Sequence, residues 1–309
     1  MGKHVVAAID IGGTFIKGAL VDLSADGAII WSESTPSHAA EGWEKVVEAT
    51  VSFSRQVLAA AAAHGGRADL LAASVLGIFD EERGVAVTAA NIDWRDLPLQ
   101  DLLSERLGVP VVASHDSIAG LAEAVFGVGR GARTVMTTAF GTGIAGSLVY
   151  NGVPYRGAHF MALEIGHLAV PGFTERCGCG GIGHLEAVAS AGSIGRRYRI
   201  AAGEPAESGS DSRRVLELAT AGDELASRIW EGAMDAIGFS FMQCVTLLDP
   251  DVIVLAGGLA KAGEPLRSAI ESRLQSARSF QRLPEVLIST LGDQAGVVGA
   301  AIAAARKAG

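Results

Sequence analysis

The sequence predicts an α/β fold in which a mixed sheet occurs twice, with helices packed on both faces of the sheets. One observation is repetition: a strand, a glycine turn, a second strand and a hairpin turn follow one another twice, about 130 residues apart. A second is that helical patterns, such as those over residues 42–64 and 99–107, separate the apolar strands. Since glycine-rich hairpins are common, coincidence is the alternative to a duplication.

The first glycine turn joins the first two predicted strands. Gly12 and Gly13 carry no Cβ atom where the backbone has to bend. Asp10 precedes them, and Thr14 and Lys17 follow, so the turn combines a carboxylate, bare N–H groups and an ammonium. These are the groups that bind a nucleotide polyphosphate and its metal ion. An ordinary Gly-Gly hairpin without a ligand is the alternative.

Asp116 follows the last strand predicted in the first repeat, over residues 109–113. The carboxyl ends of strands in such sheets open onto the ligand cleft, where a carboxylate can take a proton from a substrate hydroxyl. The alternative is that Asp116 caps the helix predicted over residues 118–126, a common role of Asp before a helix. From the residues alone, the cap is the favoured interpretation.

The second glycine turn, Gly141-Thr142-Gly143, begins a match to the pattern G-x-G-x-x-G of dinucleotide sites. In those sites a helix follows the glycines, whereas an apolar strand follows here, over residues 144–150. We therefore predict a second phosphate clamp that faces the first across a cleft, and the pattern argues against a nicotinamide dehydrogenase.

Two cysteines and two histidines form a candidate metal site. Cys177, Cys179 and His184 are closely spaced, and Cys177 lies ten residues after His167. Two thiolates and two imidazoles are a complete tetrahedral set for zinc. The alternative is a glycine-rich loop with idle thiols. The third cysteine, Cys244, lies in an apolar helical pattern and is predicted to be a small core residue.

Two acidic residues, Glu164 and Glu186, each lie close in sequence to one of these candidate ligands. A structural zinc would fix both carboxylates, which could then accept hydrogen bonds from the vicinal hydroxyls of a ligand. The alternative is that both are solvated surface acids, as most glutamates are.

Length and composition bound the remaining possibilities. The chain has 309 residues, enough for two domains, and we predict a domain over residues 1–117, onto which helix 295–309 packs back, and another over 118–294. The net charge of −9 argues against a nucleic-acid surface, and no apolar run reaches the ~20 residues of a membrane span. Three cysteines and no signal-peptide pattern predict a reducing cytoplasm. Residues 203–212 have the composition of an exposed loop.

Taken together, these residues resemble the ROK family of bacterial sugar kinases and sugar-responsive repressors. The resemblance covers nearly the whole chain and rests on four specific motifs. They are a first phosphate motif over residues 10–17, a second over 141–146, a sugar and zinc signature formed by 164–167 and 177–186, and an adenosine motif over 256–259.

The resemblance implies the actin-like ATPase fold, which is ribonuclease H-like, and a glucokinase-like activity. In that activity the γ-phosphate of ATP passes to a hexose hydroxyl, by default the 6-OH of glucose or a close relative. In such kinases the acid at the position of Asp116 is the catalytic base, which reverses the preference for a helix cap. The implied cofactors are ATP, Mg²⁺ oriented by Asp10, and a structural Zn²⁺, and the implied assembly is a homodimer.

The resemblance also assigns binding roles by position. Implied phosphate and ATP contacts are Asp10, Gly12, Gly13, Thr14, Lys17, Gly141, Thr142, Gly143, Gly257 and Gly258. Implied sugar contacts are Asn91, His115, Asp116, Glu164, His167 and Glu186. Implied zinc ligands are His167, Cys177, Cys179 and His184.

One departure from the family pattern leaves the sugar open, and another concerns the zinc site. His115 stands where the family usually has an Asn that contacts the sugar, and His184 stands where it usually has a third zinc cysteine. Amino and N-acetylated hexoses, such as N-acetylmannosamine, N-acetylglucosamine or a kanosamine-type sugar, are alternative substrates, and polyphosphate is an alternative donor. A sugar-sensing repressor is disfavoured because only nine residues precede Asp10, and a silent sugar-binding module is disfavoured by the intact Asp10, Lys17 and Asp116.

Overall fold

A computed structural model describes residues 4–89, 91–205 and 211–308, apart from the side chains of residues 67 and 68. Within these ranges the strands are β1 Val5–Ile11, β2 Phe15–Asp22, β3 Ala28–Pro36, β4 Arg67–Val75, β5 Ile78–Asp80, β6 Val85–Thr88, β7 Arg95–Leu97, β8 Val111–His115, β9 Thr134–Phe140, β10 Ile144–Tyr150, β11 Val153–Pro154, β12 Val252–Ala256 and β13 Glu285–Ile288. The α-helices there are α1 Trp43–Ala63, α2 Leu99–Leu107, α3 Ala119–Val125, α4 Leu185–Ala189, α5 Ala191–Ala202, α6 Ser212–Thr220, α7 Glu224–Leu248, α8 Glu264–Ala277 and α9 Ala295–Ala308.

The described chain divides into two compact units. The first unit contains residues up to Phe126, the segment Pro154–Ala162 and the residues from Asp293 onward, and the second contains Gly127–Val153 and Leu163–Gly292. Helix α9 packs on β1, β4 and β8 of the first unit. The domain boundary between residues 117 and 118 stays a prediction.

Each unit is built on a five-stranded mixed sheet with the same strand order. The first sheet has the order β3-β2-β1-β4-β8, and the second has the order β11-β10-β9-β12-β13. In both sheets, the two strands that flank the glycine turn pair antiparallel: β1 with β2, and β9 with β10. On its other side, β1 pairs parallel with β4, and β9 pairs parallel with β12. The repeated sheet predicted from the sequence is therefore confirmed.

The register of the first sheet places helices on both of its faces. Asp10 pairs with Lys17, and the neighbouring pair is Ile9 with Gly18, so these two pairs point to opposite faces. A Cβ on Gly18 would meet side chains of α1, whereas the Asp10 carboxylate lies against Gly296 of α9. Helices α1 and α9 therefore cover opposite faces.

The core of the second unit is organised by α7, which is 25 residues long. Its buried side chains Trp230, Ile237 and Phe241 share one apolar cluster with Met136 and Phe140 of β9. The rings of Phe140 and Phe241 lie 6.2 Å apart, so the helix packs directly on the strand that leads into the second glycine turn. Cys244 is buried in the same cluster, so it is the core residue that the sequence predicts. Burial raises the pKa of its thiol to about 11.

A small sheet formed by β5, β6 and β7 was not predicted from the sequence. Strand β4 ends at Val75, and β5 begins at Ile78. Gly77 lies between them with φ +80°, and a Cβ there would come within 2.4 Å of the Thr88 carbonyl oxygen. The glycine therefore turns the chain into a hairpin whose strands are too short to show a period.

Two further sequence predictions concern the loop over residues 203–212 and membrane spans. Of the loop predicted over residues 203–212, residues 206–210 lie outside the described ranges, and α6 begins at Ser212, capped by Asp211. Among the described residues, no helix combines the length and the apolar character that crossing a bilayer requires.

Candidate active site

The first glycine turn connects β1 to β2 and depends on close packing. A Cβ on Gly12 would lie 2.8 Å from the Phe15 carbonyl oxygen, and one on Gly13 would lie 3.0 Å from Cβ of Asn91. Neither glycine has a positive φ, so space rather than backbone conformation requires glycine here. The packing also brings Asn91, a predicted sugar contact, to the turn.

Ser37 supports this turn through two hydrogen bonds. Its hydroxyl donates to the Gly13 carbonyl oxygen at 2.8 Å, and its N–H donates to the Thr14 carbonyl oxygen at 2.9 Å. Ser37 is fully buried just after β3. Sequence reasoning missed this residue, because a serine after a strand carries no signal of its own.

Asp10 and Lys17 form a cross-strand pair beside the turn. Burial raises the pKa of Asp10, the Ser74 hydroxyl and the Lys17 ammonium oppose this, and Asp293 adds to it. The Asp10 carboxylate lies so close to Gly296, in the first turn of α9, that a Cβ there would be 2.6 Å from its Oδ2. The N-terminal end of α9 therefore faces a carboxylate, as the helix dipole favours.

Asp116 lies directly after β8, in the first unit with Asp10. Burial raises the pKa of Asp116 to about 7, and the charge of Asp10 adds to the effect, whereas the Ser117 N–H and Arg156 oppose it. The Asp116 side chain keeps 36% of its surface accessible. The carboxyl group can therefore meet a ligand and exchange a proton near neutral pH.

His115 caps the turn that follows β8. The Ser117 N–H donates to Nδ1 of His115 at 3.2 Å, and the Ser117 hydroxyl lies 2.7 Å from the same nitrogen. Because Nδ1 accepts the N–H, we assign the ring proton to Nε2. The residue whose side chain caps this turn is therefore His115, which precedes Asp116 in the chain. The chain forms a single 3₁₀ turn there, and α3 begins only at Ala119.

The second glycine turn connects β9 to β10 and is held by a carboxylate. Oε2 of Glu186 accepts the Ile144 N–H at 2.9 Å, and a Cβ on Gly143 would lie 2.4 Å from the same oxygen. The Gly141 carbonyl oxygen accepts the Ala191 N–H at 3.0 Å, which places the start of α5 against the turn. A strand follows the glycines, so the interpretation against a dinucleotide fingerprint is confirmed.

The four predicted metal ligands do come together in the second unit. One ligand atom from each of His167, Cys177, Cys179 and His184 lies within 4.8 Å of the others. Sγ of Cys177 is 3.7 Å from Nδ1 of His167, and Sγ of Cys179 is 3.2 Å from Nδ1 of His184. Two sulfur and two nitrogen donors at this spacing fit a tetrahedral zinc ion.

The predicted sugar acids lie against this cluster. Oε1 of Glu186 is 3.7 Å from the Cys177 thiol, while its other oxygen holds the glycine turn. Nε2 of His167 is 3.9 Å from Oε2 of Glu164, and Nδ1 of the same ring faces Cys177. His167 therefore presents one nitrogen to the cluster and the other to a carboxylate, an arrangement typical of metal-bound histidines.

A cavity of about 300 Å³ adjoins the predicted adenosine motif in the second unit. Gly257 has φ +82° and packs on the backbone of Phe140, which fixes the motif at the end of β12. Beyond Gly258, the cavity is lined by residues that sequence reasoning missed, because they lie on separate helices without a shared motif: Ala191, Ser212, Arg213, Leu216 and Lys261.

Comparisons with known proteins extend over both repeats. A model of the ROK family matches residues 6–307. Glucokinase of Halalkalibacterium halodurans is 32% identical, over 97% of this chain and 94% of its own length. Two solved structures are similar over 98% of this chain and 99% of their own: a ROK hexokinase from Thermus thermophilus, with 30% identity and a TM-score of 0.84, and a ROK family glucokinase from Streptomyces griseus in complex with glucose and AMPPNP, with 28% identity and a TM-score of 0.82. The fold is the actin-like ATPase fold of these kinases, and the chain belongs to the ROK family.

Proposed function

We propose that this protein is an ATP-dependent sugar kinase that transfers the γ-phosphate of ATP to a hexose hydroxyl, with the 6-OH of glucose as the first candidate. The observation that carries the proposal is the state of Asp116, a partly accessible carboxyl group with a pKa of about 7. It lies in the same unit as a glycine turn flanked by Asp10 and Lys17. The similarity to glucokinases supports the same reaction.

In the proposed reaction Asp116 accepts the proton of the sugar hydroxyl as that hydroxyl attacks the γ-phosphorus. The proton moves to a carboxylate oxygen, and ADP leaves with the electrons of the broken P–O bond. Since the transition state of phosphoryl transfer is loose, alignment and charge neutralisation provide most of the catalysis. Holding the hydroxyl in line could contribute about 7 kcal/mol in an ideal intramolecular case.

The proposed phosphate contacts come from the N–H group of Gly13 and the Lys17 ammonium at the first turn, and from the N–H group of Gly143 at the second. The Gly12 N–H instead donates to the Phe15 carbonyl oxygen at 3.0 Å, so Gly12 would act by giving room for the ligand.

Asp10 fits a magnesium ion, because it lies beside the glycine turn, opposite Lys17, and, in addition to burial, the charge of Asp293 raises its pKa. A divalent cation bound to one or two carboxylates and to phosphate oxygens would relieve this repulsion. Magnesium, when bound, neutralises charge on the transferred phosphoryl group.

We propose that the Cys/His cluster binds a structural zinc ion and that the cavity beside Gly258 receives the adenine ring. The donor set and spacing of His167, Cys177, Cys179 and His184 support zinc. A bound zinc would stiffen the loop that presents Glu186 and Glu164, which we propose as sugar contacts with Asn91, His115 and His167. The apolar wall of Leu216 and Ala191 suits a purine.

A kinase for an amino or N-acetylated hexose is the second candidate, and His115 favours it. An imidazole replaces the amide that is usual in the family, and its Nδ1 is engaged by Ser117. The donor that His115 presents is therefore a ring N–H, set farther from the backbone than an amide would be.

A coupled assay of ADP release tests both candidates. The purified protein is supplied with ATP and, separately, with glucose, other hexoses, amino sugars and N-acetylated sugars, and polyphosphate replaces ATP in a parallel series. We expect sugar-dependent ADP release, with glucose among the best substrates. No release with any sugar would refute the kinase proposal. We also propose a cytoplasmic homodimer, supported by the resemblance to the family, and sedimentation equilibrium tests the dimer.

A further inference from the structure

A charged pair lies beside Asp116 in the first unit. Nη2 of Arg156 is 2.7 Å from Oε1 of Glu81, and the two side chains are only 16% and 15% exposed. Glu81 lies in the turn after β5, which Asp80 fixes by accepting the N–H groups of Glu82 and Arg83. Removing such a pair from water costs desolvation free energy, so its presence is weak evidence for a purely stabilising role.

This pair holds both residues that flank Asp116 in sequence. Nη1 of Arg156 donates to the Ser117 hydroxyl at 2.9 Å. Oε1 of Glu81 accepts the His115 N–H at 2.9 Å, and the Ser117 hydroxyl lies 2.7 Å from the His115 ring. A closed set of hydrogen bonds therefore surrounds the backbone that carries Asp116.

We propose that Arg156 is a positioning residue for Asp116, acting through Ser117 and through Glu81 and His115. The inference rests on the proposed function, because it gives the proposed base a defined place and charge environment. The planar guanidinium group makes two contacts in different directions, which a lysine ammonium does not reproduce with the same geometry. The Arg156 loop is itself closed, because the Ala162 N–H donates to the Arg156 carbonyl oxygen at 3.2 Å.

Electrostatics supports the same role. The positive charge of Arg156 lowers the pKa of Asp116, against the larger raising effects of burial and of Asp10. Removing that charge should therefore make Asp116 harder to deprotonate. The other charged and titratable groups around this turn, which the experiment leaves unchanged except where stated, are Asp10 from β1, Asp293 before α9, His115 at the end of β8 and Glu81 after β5.

Arg156→Gln is the test variant, and Arg83→Gln is the matched control. Arg83 lies in the same turn as Glu81, but its side chain is 69% exposed and 3.9 Å from its partner Asp80. For Arg156→Gln we expect kcat at neutral pH to fall on the order of tenfold with the sugar KM within about twofold, and the acid limb of kcat/KM to move to higher pH. For Arg83→Gln we expect neither change.

Two further variants separate positioning from simple charge pairing. Arg156→Lys should restore the position of the acid limb, since it restores the charge, but only part of kcat. The double variant Arg156→Gln/Glu81→Gln leaves no unpaired charge at this pair, so we expect it to fold where Arg156→Gln does not. Because it removes two opposite charges together, its acid limb should stay near that of the wild type, while kcat should still fall, since the hydrogen bonds that hold Asp116 are lost. Wild-type kcat in the double variant, or in Arg156→Gln, would overturn the inference.

A measurement without turnover distinguishes failure of this inference from failure of the proposed function. Carboxyl carbons of labelled aspartates are titrated by NMR in the wild type and in Arg156→Gln, and Asp116→Asn identifies the signal of Asp116. We expect the Asp116 signal to titrate at higher pH in Arg156→Gln. Equal titration in both proteins refutes the positioning role and leaves the kinase proposal intact, whereas absent ADP release refutes the kinase proposal and leaves this titration valid.

Discussion

The two glycine turns occupy the same place in the two sheets but carry different chemistry. Each joins the first two strands of its repeat, and the next connection in each repeat ends in two residues of positive φ, 52° and 75° at Asp26-Gly27 and 50° and 74° at Asn151-Gly152. These connections differ in length, because residues 23–27 join β2 to β3 whereas only Asn151 and Gly152 join β10 to β11. The charged pair Asp10 and Lys17 stands two positions before and four after the glycines of the first turn. At the matching place in the second sheet, Ala139 pairs with Ala145.

The supports of the two turns also differ. The first turn is held from inside its own sheet, by Ser37 after β3, and the second by Glu186, from a helix outside the repeated strands. The duplicated scaffold thus supplies a glycine turn in each repeat. Residues added around it supply charge in one repeat and, in the other, a carboxylate that lies beside the Cys/His cluster.

The largest effect is expected at the acid that only the first unit provides. Asp116→Asn should lower kcat by at least about 10²-fold, because the amide cannot accept the hydroxyl proton. Sugar binding, measured by calorimetry, should be retained, which serves as the folding control. Near-normal turnover would remove Asp116 from the mechanism.

The pH dependence of the wild type follows from the same group. Since the base must be deprotonated and the pKa of Asp116 is about 7, kcat/KM should fall about tenfold per pH unit well below pH 7. The free energy of unfolding changes with pH in the opposite direction to the activity. Because the carboxyl group ionises at lower pH in the unfolded chain than in the folded one, its ionisation destabilises the fold increasingly as the pH rises from about 4 to 7. Asp116→Asn should therefore melt higher than the wild type above pH 7 and equally below pH 4. Identical melting at both pH values would show that the native carboxyl group is unperturbed.

Loss of metal should affect the second turn and not the first. Cys177→Ser should lower the zinc content, measured by mass spectrometry of the purified protein, from about one ion per chain to background, because it removes one of four ligands. Cys244→Ala, at a core thiol, should keep the zinc. Unchanged zinc together with unchanged folding in Cys177→Ser would show that the cluster is misassigned.

Alanine substitutions at two glycines of the second turn test the support that the Glu186 carboxylate gives to it. Gly143→Ala places a Cβ 2.4 Å from Oε2 of Glu186, so the bond to the Ile144 N–H should be lost. Because that bond to a charged group helps to hold the turn, we expect its loss to weaken the binding of AMPPNP, measured without sugar, by about tenfold. Gly141→Ala should cost less, since a Cβ there meets no atom within 4 Å. Equal effects would argue against a special role of Glu186.

The smallest effect is expected for the hydroxyl that supports the first turn. Ser37→Ala removes one neutral hydrogen bond to Gly13, worth about 1 kcal/mol, and should weaken AMPPNP binding several-fold. Ser34→Ala, at an exposed position of β3, is the control and should bind as the wild type does. A wild-type affinity in Ser37→Ala would show that the backbone alone holds the turn.

Local pattern predicted the parts of the fold that depend on local chemistry. The helix over Leu99–Leu107 and the strand over Ile144–Tyr150 have the bounds expected from apolar periodicity and turn residues. The Cys/His cluster was predictable because cysteines and histidines at this spacing are typical of zinc ligands. Ser37, Glu81 and Arg156 were not, because each acts through contacts with residues distant in the chain.

The seating of Asp10 against Gly296 has a consequence for how the protein is made. Strand β1 leaves the ribosome before α9 does, because it precedes α9 in the chain. Until α9 docks, the acid of β1 lacks the helix that fixes it, although the rest of its sheet can already have formed. We therefore expect a chain truncated before residue 295 to lack the support that α9 gives to Asp10.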